Sequence, residues 1–151
     1  GGAAGALGLD TIFDFSGVTG FTSSPGAGGG NGDDIILDTS DLNIASIAFE
    51  SKTWDGSVNA LALTTDAATV VVLKGAAGTA ANAATALAAG DGTATNAVVI
   101  YNDSANSNTL TMFHTTNLTN NGDENALATF DDITSLTASA VLVAGDFDVQ
   151  T

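Results

Sequence analysis

Short runs of valine, isoleucine, leucine, threonine and phenylalanine recur along the whole chain, each closed within a few residues by glycine, asparagine or aspartate. That rhythm constrains the fold more than any other feature. Runs this short, rich in β-branched residues and bounded by turn formers, are strand signals. They fall at 10–15, 34–38, 44–50, 58–64, 68–74, 96–102, 108–114, 126–130 and 139–145. Val58, Ala60 and Ala62 alternate with Asn59, Leu61 and Leu63, the pattern of a half-buried strand. "WDGS" at 54–57 reads as a hairpin turn, because Asp-Gly reaches positive φ at low cost.

One stretch departs from the rhythm. "GTAANAATALAAG" (78–90) lacks a β-branched run and is dominated by alanine, the best helix former. Gly78 and Gly90 bracket it and Thr79 is placed to cap it, so the spacing predicts a helix over 79–89. Its one large apolar residue is Leu87, so the helix needs a sheet to lie on. "LATFDDITSL" (127–136) reads as holding a further helical turn. The expectation is an all-β domain spanning 1–151, a single sandwich or roll with one short helix. Residues 1–8 form an extended arm in this reading, and residues 16–32 a glycine-rich loop.

Charge narrows the function. Seventeen acids face Lys52 and Lys74, with no arginine, for a net charge of −15. Nothing here neutralises phosphates, so nucleic acid is excluded as a partner. An anionic membrane surface is repelled in the same way. The longest apolar run contains Lys74 and is too short to span a bilayer, which excludes membrane insertion. Cations are attracted, either as counterions in a salty medium or as calcium held by carboxylates. The absence of cysteine removes disulfides and thiolate metal sites. The chain opens on Gly1-Gly2 without a basic segment, and so reads as a processed product or a piece of something longer.

"GGNGDDIIL" (29–37) has glycine at its first, second and fourth places, aspartate at the sixth and isoleucine at the eighth. A calcium-binding β-roll rung needs that order: glycines for the turn, a carboxylate between rungs, an aliphatic residue for the core. "GALGLDTIF" (5–13) repeats it with Gly5, Gly8, Asp10 and Ile12 in register. Calcium takes 6–8 oxygen ligands at about 2.3–2.6 Å. Asp10 and Asp34, helped by Asp33, Asp38 and the backbone around Gly30 and Gly32, are the candidate ligands.

These phrases, with "LDTIFDFS", "DIILDTSDL", "VVIYNDSANSNTLTMF" and the closing "ALATFDDITSLTASAVLVAGDFDVQ", resemble the C-terminal region of repeats-in-toxin (RTX) proteins. The resemblance covers the two ends of the chain better than the middle. It implies calcium as the bound ion and type I secretion to the extracellular space or cell surface.

Catalytic patterns are missing. His114 is the only histidine, which rules out a His-Glu-x-x-His helix. No Gly-x-Ser-x-Gly elbow and no phosphate-binding Gly-Lys-Ser/Thr loop occur. The adjacent acids Asp33-Asp34, Asp123-Glu124 and Asp131-Asp132 read as turn residues rather than a glycosidase pair. The sequence therefore points away from an enzyme. It points to a secreted structural protein, a fibre, S-layer or adhesin subunit, that self-assembles into homo-oligomers or polymers with calcium. The alternatives are the secretion and folding module of a larger RTX enzyme or toxin, and a carbohydrate-binding module that grips a glycan with Trp54.

Overall fold

The computed structural model describes residues 10–12, 35–64, 67–90, 96–106, 109–118, 123–130, 142 and 144–150. The protein is β-rich with one short helix, as its sequence implies. The elements are β1 (Asp10–Ile12), β2 (Ile35–Asp38), the single turn α1 (Thr39–Leu42), β3 (Phe49–Trp54), β4 (Val70–Gly75), α2 (Ala80–Ala89), β5 (Ala97–Asp103), β6 (Thr109–Thr115), β7 (Asn125–Phe130) and β8 (Phe147–Gln150). Six strands form one sheet in the order β1-β7-β6-β5-β4-β3, while β2 and β8 form a separate pair.

The large sheet is mixed. β3, β4 and β5 run parallel, whereas β5-β6 and β6-β7 are antiparallel. Parallel neighbours need crossovers that lie on a sheet face, so their strands are buried on both sides and read as continuous apolar runs. Val70 to Leu73 and Ala97 to Tyr101 are such runs, each residue of them buried. Val70, Val72, Val98, Ile100, Leu110 and Met112 point to one face, where Ile35, Leu37 and Phe147 of the small sheet cover them. Val71, Leu73, Val99, Tyr101 and Phe113 point to the other, under Ala83, Ala84, Ala86 and Leu87 of α2.

The helix is where the sequence puts it. Thr79 is extended (φ −112°) and its side chain accepts the Asn82 N–H at 3.2 Å. Gly90 closes it, its N–H shared between the carbonyls of Ala86 and Leu87. The reason for that glycine is close approach rather than a left-handed turn. A Cβ there would stand 2.1 Å from the Leu61 carbonyl oxygen.

The structure differs from the sequence-based expectation in several places. The strand expected at 44–50 starts later, at Phe49, and runs to Trp54. No strand forms at 58–64, although it alternates. Leu61 donates its N–H to Ala86 of α2, and Leu63 enters the helix-side core, so this segment is the β3–β4 crossover. "WDGS" therefore opens a crossover and not a hairpin, although Gly56 does have φ +80°. Of the strand expected at 139–145 only residues 142, 144 and 145 are described; Ala144–Asp146 form a 3-10 turn, and Phe147–Gln150 form β8. Of the stretch at 127–136, where a helical turn is expected, residues 131–136 lie outside the described residues, and residues 127–130 belong to β7. Its register shifts where Met112 pairs with Ala128 but Phe113 with Ala126, so Leu127 is the extra residue of a bulge. Leu127 packs against the core shared with the small sheet.

Leu87 is fully buried and supplies most of the apolar volume that α2 brings to the sheet. Leu87→Ala is expected to destabilise the protein by about 2–5 kcal/mol, measured as a lower urea midpoint with the m-value unchanged.

Candidate functional site

The predicted calcium ligands do not gather into one site among the described residues. Asp33, Asp34, Gly30 and Gly32 lie outside them, as do the arm at 1–8 and the loop at 16–32. Asp10 begins β1, which pairs in parallel with β7 of the large sheet. Asp38 ends β2, which pairs in parallel with β8. The strands that lie in the two glycine-aspartate phrases thus belong to different sheets and are not hydrogen-bonded neighbours. Asp38 is exposed, and its Oδ1 accepts the Asp41 N–H at 3.3 Å, capping the turn α1. Asn43, with φ +52°, ends that turn. No three His, Asp or Glu side chains among the described residues are grouped as a metal site.

The residues that could do acid–base chemistry are engaged in structure. His114 is buried, and its Nε2 lies 3.1 Å from the Leu42 carbonyl oxygen. A carbonyl only accepts, so Nε2 carries the proton and ties β6 to the α1 turn. Burial lowers the His114 pKa below its ordinary value, against smaller opposing effects of the Leu42 carbonyl and Asp123. Lys52 is paired with Glu50 at 2.9 Å and donates to Thr64 Oγ1 at 2.8 Å. Glu50 Oε1 also accepts the Thr64 N–H at 2.6 Å, so the pair staples the crossover to β3. Lys74 donates to Ser51 Oγ at 2.9 Å, and burial lowers its pKa.

Trp54 does not present its indole to solvent. It is 2 % exposed, packs edge-on against Tyr101 at 6.3 Å, and donates Nε1–H to the Ser57 carbonyl at 2.9 Å. It covers the end of the helix-side core. Tyr101 in turn meets Phe113 across the strands at 5.7 Å. Burial, with nearby Asp103, pushes the Tyr101 phenol upward, so it stays neutral.

Two residues acquire significance only in three dimensions. Asp55 and Asn59 line a cavity of about 240 Å³ with Thr53, Trp54, Ala60 and Leu61, at the carboxyl end of β3. Asp55 Oδ1 accepts Ser57 Oγ–H at 2.6 Å and Ser57 N–H at 3.0 Å, and Oδ2 accepts Asn59 Nδ2–H at 3.2 Å. These donors, Ser57 foremost, hold the Asp55 carboxyl below its usual range and keep it ionised. The signal in the sequence is polar residues at 55, 57 and 59 after a strand-ending tryptophan, a spacing that also describes any polar turn.

A second carboxylate is similarly held between β6 and β7. Asp123 accepts Thr115 Oγ1–H at 2.7 Å, Thr116 N–H at 2.9 Å and the Thr116 hydroxyl. Burial raises its pKa, but these hydrogen bonds outweigh that and the net shift is downward.

No protein-family model, curated protein or solved structure matches the chain. No helix among the described residues is long and apolar enough to cross a membrane.

Because the folded state holds the His114 pKa below its ordinary value of 6.5, the unfolded chain binds more protons just below neutrality. The contribution of neutral His114 is therefore full above that value and is lost as pH falls toward the folded-state pKa. Urea unfolding between pH 7.5 and pH 5 is expected to show this slope in the wild type and a smaller one in His114→Gln. Equal slopes would mean that protonation of His114 is not what weakens the fold.

Proposed function

We propose that the protein is a secreted, non-catalytic structural component of the bacterial surface, a fibre, S-layer or adhesin subunit whose self-assembly is helped by calcium. The observation that carries this reading is where the few reactive groups lie. Both lysines and the histidine hold the crossover, β3 and the α1 turn in place, and two of the largest aromatics fill the core. What the chain offers its surroundings is a large excess of carboxylates. Copies with a net charge of −15 repel one another until salt or a divalent cation intervenes. The resemblance to RTX proteins agrees with calcium in that role.

A specific observation favours a second reading, a carboxyl-terminal folding and secretion module of a longer RTX protein. β1 and β2, which lie in the two glycine-aspartate phrases, pair in parallel with β7 and β8, the last two strands among the described residues. Such a domain is completed only when its final strands are in place. The mass and terminal sequence of the native protein separate the two readings.

Calcium is expected to raise Tm relative to chelator, by the equivalent of roughly 2.7 kcal/mol at a hundredfold excess over Kd. Asp34→Ala is expected to remove that increase. A Tm indifferent to both calcium and chelator takes calcium out of the reading.

Assembly has its own test. Residues 1–8 carry no charge and precede β1, an end strand of the large sheet. Adding that arm as a strand to a neighbouring sheet is the main-chain contact that charge does not prevent. Electron microscopy of the full chain with calcium is expected to show polymers, and of the chain lacking residues 1–8 only folded monomers. A full chain that is monomeric with and without calcium overturns the structural reading.

A further inference from the structure

The cavity at the carboxyl end of β3 has the form of a built site. Its wall, residues 55–61, is anchored at several points before any ligand arrives. Trp54 Nε1–H holds the Ser57 carbonyl, Asn82 Nδ2–H holds the Gly56 carbonyl at 3.1 Å, and Leu61 N–H holds the Ala86 carbonyl at 2.9 Å. Gly56 lies so close to the 76–77 segment that a Cβ would be 2.3 Å from the Ala77 oxygen. A wall fixed in this way loses little entropy when a ligand binds. The cavity lies beyond the carboxyl end of β3, an end strand of the large sheet.

The lining selects the chemistry. A volume of about 240 Å³ lies below the roughly 300–1,000 Å³ of pockets for drug-sized ligands, which suits one ring or a chain end. No cation lines it and Asp55 is ionised, which disfavours anions. The Asp55 carboxylate can only accept, while the Asn59 amide beside it both donates and accepts. Two adjacent hydroxyls match that pair, one donating to Asp55 and the other accepting from Asn59. Thr53 adds a hydroxyl at the rim, and Ala60 and Leu61 supply apolar contact for C–H groups.

We infer that this cavity binds a vicinal diol, as carried by the terminal sugar of a glycan, through Asp55 and Asn59. The inference stands apart from the assembly reading, since monomers and polymers alike carry the cavity. The test is a titration of the ¹⁵N-labelled full chain with the methyl glycosides of glucose, galactose, mannose and N-acetylglucosamine, and separately with calcium chloride. At least one glycoside is expected to shift amide signals confined to 53–61, saturating in the millimolar range. Ala60→Phe, which fills the space and leaves the anchoring hydrogen bonds, is expected to abolish the shifts. Asp55→Asn, which is isosteric but removes the charge and one acceptor oxygen, is expected to weaken binding about tenfold. Absence of shifts with all four glycosides overturns the inference. So do shifts that survive in Ala60→Phe, or a response of these amides to calcium alone.

Discussion

Burial of β4 and β5 on both faces is the constraint on which the rest of the structure depends. A sheet whose central strands are parallel cannot be closed by tight turns, so each return has to cross a face and cover it. The 55–69 segment and α2 make those two returns, and both contribute to the same apolar cluster. The opposite face is left for the small sheet, with Ile35, Leu37 and Phe147. Phe147 also meets Phe49 of β3 at 5.8 Å, which ties the last strand to the far side of the large sheet. Removing either layer would expose a row of valines and isoleucines that have no polar face to turn outward.

The polar interactions serve the same layering. His114 reaches from β6 to the carbonyl of Leu42, just beyond the small sheet, and so joins the two sheets by one hydrogen bond. On the other side Glu50, Lys52 and Thr64 join the end strand β3 to its own crossover. An end strand carrying a paired Glu and Lys is a poor template for another chain, because pairing there would have to displace charges already matched. The two cations of a strongly acidic chain are thus both on β3 and β4, close to the edge that most needs protection from unwanted pairing.

Most of this β-rich class was legible because it depends on local composition. Thr79, the alanine run and Gly90 marked α2 correctly, since capping and helix propensity act within a few residues. The apolar runs at 70–75 and 97–103 were found to within two residues at each end. Their parallel direction was not legible, since an unbroken apolar run does not say which way its neighbour points. Residues 58–64 show the same limit from the other side. Their alternation is that of a strand, but α2 competes for the Leu61 N–H and wins. The site was less legible than the fold. Glycine-aspartate spacing singled out Asp10 and Asp34, with Asp38 as a helper, and the strands that carry Asp10 and Asp38 belong to different sheets. Asp55 and Asn59 read only as a turn and a strand position, because the segment that carries them is held by anchors more than twenty residues away in sequence.

Those anchors explain why the 55–61 segment is ordered although it lacks a ladder of its own. A loop that forms no regular structure usually carries unsatisfied backbone groups and moves accordingly. Here the carbonyls of Gly56 and Ser57 and the N–H of Leu61 are each taken by α2 or by the Trp54 indole. The packing around this segment also needs glycine at two positions, because at Gly56 and Gly90 a Cβ would collide with the Ala77 and Leu61 carbonyl oxygens. The same alanine-rich helix that shields one face of the sheet is therefore also the rigid backing of the crossover. An alanine surface permits the close approach that longer side chains would block. The small-residue composition of 78–90, which first reads as mere helix propensity, is in this fold what lets a loop without secondary structure hold a fixed shape.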